Sequence, residues 1–224
     1  MVVAIIKIEP VTYDVKRFVV EKPRGYKYTP GQATDVSINQ PGWKDKKKPF
    51  TFTSLNSDEH LEFTIKGYPT DKYPDHDGVT QHLHSLKPKD ELIIGEPWGT
   101  IEYKGEGVFI AGGAGITPFI AIFKQLIKDG KMKGNSLFFS NKTERDVILE
   151  DKLKKWFGDN LVLTLTRQRN EDYDYGRIDK SFLKENIDNF NQNFYVCGPK
   201  SLVKDINTTL EKLGASTDLL VFEK

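Results

Sequence analysis

The chain has 224 residues, a length that allows one large domain or two small ones of about 100–200 residues each. With 38% hydrophobic and 29% charged residues it reads as a globular protein that can bury a core. A net charge of +1 gives no overall electrostatic case for nucleic acid, and the single cysteine, Cys197, excludes an internal disulfide and a four-cysteine iron–sulfur site. No run approaches the roughly 18 apolar residues of a membrane span, and residues 1–10 lack a basic stretch followed by a long apolar one. A cytoplasmic monomer without a membrane span is expected.

In chain order, residues 2–8, 15–20, 33–38, 49–53, 61–66 and 91–95 are short β-rich segments separated by Gly, Pro, Asn or Asp. Their spacing predicts an amino-terminal antiparallel six-stranded β-barrel, interrupted by one helix over 79–86 that follows the turn signal Asp77-Gly78. Beyond Gly105 the pattern alternates. Strands are predicted over 108–111, 136–140, 161–166, 194–197 and 219–222, and helices over 118–128, 144–157, 180–189 and 201–213. Alternation of this kind predicts a doubly wound parallel α/β domain, in which ligands sit at the carboxyl ends of the strands. The expected domains are therefore 1–103 and 104–224.

The first strand of the second domain runs into Gly112, Gly113, Ala114, Gly115, Ile116, Thr117 and Pro118. Thr117 suits an N-cap and Pro118 a first helical position, so strand, turn and helix are specified together. The glycines let the backbone approach a pyrophosphate, and the helix start offers it unpaired N–H groups; an ordinary glycine-rich turn is the alternative. The acidic residue expected about 20 residues on in a Rossmann dehydrogenase is replaced by Ser140-Asn141-Lys142, so the turn suggests a related nucleotide domain instead. Beyond the third strand, Thr166, Arg167 and Arg177 could meet a 2′-phosphate, or form a solvated basic loop. His82 and His84 are two apart and would diverge on a helix, and no metal site is expected.

Six segments, in order, resemble the ferredoxin-NADP reductase superfamily across nearly the whole chain. They are Pro30-Gly31-Gln32, Lys48-Pro49-Phe50-Thr51, Gly78-Val79-Thr80, Gly95-Glu96-Pro97-Trp98-Gly99, the glycine turn at 112–118, and Tyr195-Val196-Cys197-Gly198-Pro199. The resemblance implies a flavin in the barrel and NADPH or NADH in the second domain. Phe50 would stack on the flavin ring, and the Thr51 hydroxyl would face its reactive N5 edge. Where the family has an arginine for the flavin phosphate this chain has Lys48, a point charge rather than a bidentate fork. Gly78, Val79 and Thr80 would seat a pyrophosphate at a helix start, which favours FAD over FMN. Phe63 and Lys66 are further cofactor-binding candidates, Lys66 for the same phosphate. Cys197, Gly198 and Pro199 would lie beside the nicotinamide, and Phe222-Glu223-Lys224 resembles the terminal segment that covers the flavin and brings a carboxylate near it. Thr51, Cys197 and Glu223 make up the implied catalytic set.

The function expected from this resemblance is an NAD(P)H-dependent flavoprotein oxidoreductase that passes electrons to a separate carrier. Lys44, Lys46 and Lys47 form a basic loop ahead of the flavin motif that could steer an acidic carrier such as flavodoxin or ferredoxin. A non-catalytic nucleotide-binding subunit, or an electron-transfer subunit of a larger complex, is the competing expectation.

Overall fold

The structure is a computed structural model and describes residues 1–99 and 101–222. The amino-terminal half contains β1 (Val2–Pro10), β2 (Val15–Glu21), β3 (Ala33–Ile38), β4 (Lys48–Thr51), β5 (His60–Lys66) and β6 (Glu91–Trp98), with helix α1 (Val79–Ser85) between the last two strands. These strands form one antiparallel sheet in the order β4-β3-β6-β1-β2-β5. Its two ends meet just past β4, where Phe52 bridges to Phe63 and the Thr53 N–H donates to the Glu62 carbonyl at 2.8 Å. Every second residue of β5 (Leu61, Phe63, Ile65) points into the barrel. Phe63 is therefore fully buried, its ring 5.3 Å from that of Phe52. This corrects its expected place beside a flavin: the two-residue period turns Phe63 inward.

The second half contains β7 (Gly107–Gly112), α2 (Thr117–Lys128), β8 (Ser136–Asn141), α3 (Glu150–Phe157), β9 (Leu161–Leu165), β10 (Asp174–Tyr175), α4 (Lys180–Asn186), β11 (Asn193–Cys197), α5 (Lys200–Lys212) and β12 (Leu220–Phe222). All its strands are parallel, in the order β10-β9-β8-β7-β11-β12. The central β7 is buried along its whole length, as a strand covered by helices on both faces must be. Phe109 and Ala111 pack with α2 and α3, while Val108 and Ile110 pack with α4 and α5.

Three local features depart from the sequence expectation. A 3-10 turn over Gly113–Ile116 runs directly into α2, so Thr117 is a helical residue whose hydroxyl donates to the Ala114 carbonyl at 3.0 Å, not an N-cap. The helix expected over 144–157 is broken. Thr143 and Asp146 form a capping box that closes a 3-10 turn over Glu144–Asp146, Val147 and Ile148 enter the core, and α3 starts only at Glu150. The two-residue β10 has no periodicity by which a sequence could announce it.

The halves are packed tightly. Val15 of the barrel is buried among second-domain residues, and the Tyr13 hydroxyl donates across to Asp146 at 2.8 Å. Gly31 has φ +97° and lies against the Ile101 carbonyl, with the Ile122 side chain of α2 also close; a Cβ there would strike that carbonyl. Gly31→Ala is therefore expected to cost at least about 2 kcal/mol, from backbone strain and collision together, read as a lowered denaturation midpoint; an unchanged midpoint would contradict this packing.

Candidate active site

A cleft of about 640 Å³ opens between β4 and β5 of the barrel and the carboxyl ends of β7, β8, β9 and β11. Its volume falls within the roughly 300–1,000 Å³ usual for small-molecule sites. On the barrel side β4 presents Pro49, Phe50 and Thr51, with Ala33 and Thr64 beside them. β4 is the end strand of the sheet order, so Pro49, which has no N–H to give, is tolerated there. Phe50 rests partly on the barrel core and is half-buried, leaving part of its ring to the cleft.

Opposite stand Gly112, Gly113, Ala114 and Gly115, followed by Thr117 and Pro118 at the start of α2. This turn lies against the end of β11. A Cβ on Gly115 would sit 2.5 Å from the Cys197 carbonyl oxygen, and one on Gly198 would sit 3.1 Å from the Gly112 nitrogen. Glycine at Gly115 and Gly198 lets two backbones lie close together, and the turn lines the cleft without a bulky side chain at 112–115. Cys197, Gly198 and Pro199 complete that wall, and Cys197 is buried.

Farther along the cleft are Ser140, Asn141 and Lys142 from the end of β8, and Thr166 just past β9. The Thr166 hydroxyl donates to the Asn141 carbonyl at 3.1 Å. Arg167 and Arg177 are exposed and do not line the cleft. A loop between β5 and α1 adds Tyr68, Tyr73 and His76, which the sequence reading missed: Tyr68 stacks on His76 at 4.4 Å and 15°, and meets Tyr73 edge-on at 5.2 Å. Only the aromatic density of residues 68–76 could have pointed to them.

The charged candidates are placed differently from expectation. Lys66 lines the cleft, but its ammonium is bound to Asp14 at 2.7 Å and lies 3.8 Å from Asp146. Burial alone would lower its pKa; the two carboxylates outweigh that and raise it. Lys48 does not reach the cleft, pairing instead with Asp77 at 3.0 Å. Asp77 also accepts from the Val79 N–H at 3.3 Å, so the start of α1 already holds a carboxylate. Gly78 and Val79 likewise stand outside, Val79 in the barrel core, whereas Thr80 lines the cleft and its hydroxyl accepts from the Tyr68 N–H at 3.1 Å. Ile116 contributes backbone to the turn while its side chain is fully buried. Phe222, expected over the flavin, is paired with Val196 and packs on the α4 and α5 side of the sheet, away from the cleft. Glu223 lies outside the described residues.

An aromatic and hydroxyl-bearing barrel wall facing a bare glycine turn at the carboxyl ends of a parallel sheet is the arrangement of a two-domain flavin and nicotinamide protein. Residues 3–103 match the oxidoreductase FAD-binding domain and residues 109–208 the oxidoreductase NAD-binding domain. The chain is 33% identical over 65% of its length to NADH-cytochrome b5 reductase 2 of Mycosarcoma maydis, and 26% identical over 97% to the reductase component of propane 2-monooxygenase from Rhodococcus jostii. It spans 44% and 61% of those relatives. A ferredoxin NADP+ reductase from Neisseria gonorrhoeae, solved with bound FAD and NADP, superposes with a TM-score of 0.86 at 18% identity, covering 100% of this chain and 97% of that one. The flavohem-like FAD/NAD-binding domain of a Vibrio cholerae nitric oxide dioxygenase does so with a TM-score of 0.86 at 19% identity, covering 99% and 97%. This chain belongs to the ferredoxin-NADP reductase superfamily. No helix among the described residues is long and apolar enough to cross a membrane.

One edge of the cleft is a polar junction between the domains. The Tyr13 hydroxyl donates to Asp146 at 2.8 Å, and the Arg145 guanidinium lies 3.9 Å above the Tyr13 ring. Burial pushes the Asp146 carboxyl up, but hydrogen bonds from Thr143 and Tyr13 and the Lys66 charge together hold it below the ordinary aspartate value. A carboxyl depressed in the folded state contributes stability that is present above its unfolded pKa of about 3.9 and is lost as pH falls through the folded value. Asp146→Asn should therefore lower thermal stability at pH 7, and its gap from the parent should begin to narrow as pH falls below about 4 and shrink further as the folded carboxyl is protonated; a gap that stays constant through acid pH would rule out the ionic origin.

Proposed function

We propose that the cleft holds the isoalloxazine of FAD against Phe50 and Thr51 and the nicotinamide of NAD(P)H against the turn at 112–118, making the chain an NAD(P)H-dependent flavoprotein oxidoreductase. The observation that carries this reading is that these two walls, Cys197 included, line one continuous cleft. Bound together there, the two cofactors would supply hydride exchange and the release of single electrons. We take residues 1–103 as the flavin domain and 104–224 as the nicotinamide domain.

The chain's own residues bind and orient. Phe50 offers a flat apolar face, and Thr51 a hydroxyl that can give or take a hydrogen bond at the ring edge. The amino end of the 3-10 turn at Gly113 and Ala114, backed by the dipole of α2, favours the negative pyrophosphate of the dinucleotide. Cys197 fills space beside the nicotinamide with a small polarizable side chain, and close backbone contact at Gly115 and Gly198 keeps that wall thin. Tyr68 adds a second aromatic surface, stiffened by its stack on His76. Thr166 lies where the adenosine end of the dinucleotide would rest, and Arg167 next to it would favour a 2′-phosphate. No side chain has to act as a general acid or base for hydride transfer itself.

The two relatives are named as reductases of cytochrome b5 and of a monooxygenase system, which supports an acceptor that is itself a protein. We favour an acidic carrier of the flavodoxin or ferredoxin kind. Lys44, Lys46 and Lys47 are exposed, and Lys46 lies 4.2 Å over Trp43, which stacks on His82 at 4.3 Å. That loop stands at the Lys48 end of β4, so it would steer the carrier from the side of α1 rather than touch the ring edge at Thr51.

Purified protein should carry FAD or take it up, and stopped-flow mixing with NADH or NADPH under argon should bleach its flavin absorbance. Colourless protein that cannot be reconstituted would favour a non-catalytic nucleotide-binding role. Phe50→Ala should weaken FAD binding by about ten-fold, through lost stacking and burial. Arg167→Ala should raise the dissociation constant for NADPH roughly three- to ten-fold and leave that for NADH unaltered. Equal effects on both nicotinamides would remove Arg167 from the 2′-phosphate.

A further inference from the structure

The helix that carries the nicotinamide turn is tied to the barrel at a second point. Lys124, two turns into α2, sends its ammonium out of the nucleotide domain to the barrel, where it donates to the Thr53 carbonyl at 2.6 Å and pairs with Glu62 at 2.9 Å. These partners form the rung that closes the barrel, since the Thr53 N–H donates to the Glu62 carbonyl and the two residues flank the Phe52 to Phe63 bridge. Thr53 is two residues past Thr51 in the same strand run. Lys124 stands about 10 Å along the helix from Thr117 at the cleft. One short rigid path therefore links the flavin wall to the dinucleotide turn: Thr51, Thr53, Lys124, then α2 back to Thr117.

The link has the physical character of a pin. Lys124 and Glu62 are 23% and 17% exposed, so the pair is largely shielded from water and salt. A charge-assisted bond to a backbone carbonyl fixes a position in the main chain itself, which a pair between two mobile side chains would not do. Glu62 is held from its other side by Arg17 at 3.6 Å, and Arg17 in turn is held by Glu9. One turn further, Lys128 donates to Ser57 at 2.7 Å, and on another face of α2 Ile122 seats against Gly31.

We propose that Lys124 is a positioning residue for hydride transfer: by anchoring α2 to the closing rung of the barrel it sets the distance between the dinucleotide turn and the flavin wall. This rests on the function proposed above. Transfer between two rings depends steeply on their separation, so a displacement of about 1 Å can cost on the order of a hundred-fold in rate while each cofactor keeps its own binding contacts. Loss of the pin therefore acts on the transfer rate at saturation and spares affinity.

The test uses FAD-loaded full-length protein and compares Lys124→Met, which keeps the apolar stem and removes the donor, with Lys124→Arg, which restores a cation and donors. Glu62→Gln serves as an independent variant should Lys124→Met not fold. Stopped-flow reduction over a range of nicotinamide concentrations separates the dissociation constant from the limiting rate. The expected result for Lys124→Met is a limiting rate lower by about ten-fold or more, with the dissociation constant changed less than about three-fold and FAD content retained. Lys124→Arg should recover most of the rate, and Glu62→Gln should fall in between. A wild-type limiting rate in Lys124→Met, or equal losses of affinity, FAD content and rate that Lys124→Arg does not repair, would overturn the proposal. Wild-type protein that binds FAD but is reduced by neither nicotinamide would fail at the earlier step and take both readings down together.

Discussion

The constraint on which the rest of this molecule depends is close backbone approach at the carboxyl end of β7. Gly115 brings the turn before α2 against the Cys197 carbonyl at a separation that no Cβ could share, and Gly198 packs tightly on the backbone of Gly112. The 3-10 turn and the start of α2 line the cleft there, and the positive end of the helix dipole favours negative charge beside it. The same glycines keep the wall thin enough for a second ring system to lie across from it.

The opposite wall follows from how the barrel closes. Phe52, Phe63 and Tyr28 fill the interior, with Tyr28 stacked on Phe52 at 4.0 Å, and the closing rung at Thr53 and Glu62 lies just past the end of β4. β4 itself remains an end strand of the sheet order, and its residues Phe50 and Thr51 line the cleft shared with the second domain. An unpaired sheet edge invites unwanted pairing, and this one is shielded by a short strand, a proline and the neighbouring domain. Barrel closure and cleft formation are thus one event in the chain, and the junctions at Lys124 and at Tyr13, Lys66 and Asp146 hold the two halves on either side of it.

Much of this was legible in the residues. Short β-rich segments between turn residues marked the barrel strands within a few positions, and the alternation of strands with helices marked the parallel sheet, because both are patterns that neighbours in sequence express. The glycine turn was legible from its local strand, turn and helix context, whereas Phe50, Thr51 and Cys197 were singled out by the family resemblance; all of them line the cleft. What escaped depended on contacts between distant segments. Lys66 looked available for a phosphate, and only the fold brings Asp14 and Asp146 to it. Lys48 looked available too, until the loop before α1 places Asp77 on it. Phe63 was misplaced by one step of the strand period, and Phe222 by the side of the sheet on which β12 docks. Tyr68, Tyr73 and His76 belong to an irregular loop whose stack has no sequence period, and Lys124 reads in the sequence as one more helical lysine.

The most direct measurement is a crystal structure of the protein with FAD and an oxidised nicotinamide dinucleotide bound. The isoalloxazine should lie on Phe50 with its N5 edge toward Thr51, and the nicotinamide should sit in van der Waals contact with it, beside Cys197 and the turn at 112–118. A flavin bound elsewhere, or the two rings held apart by intervening side chains, would contradict the account.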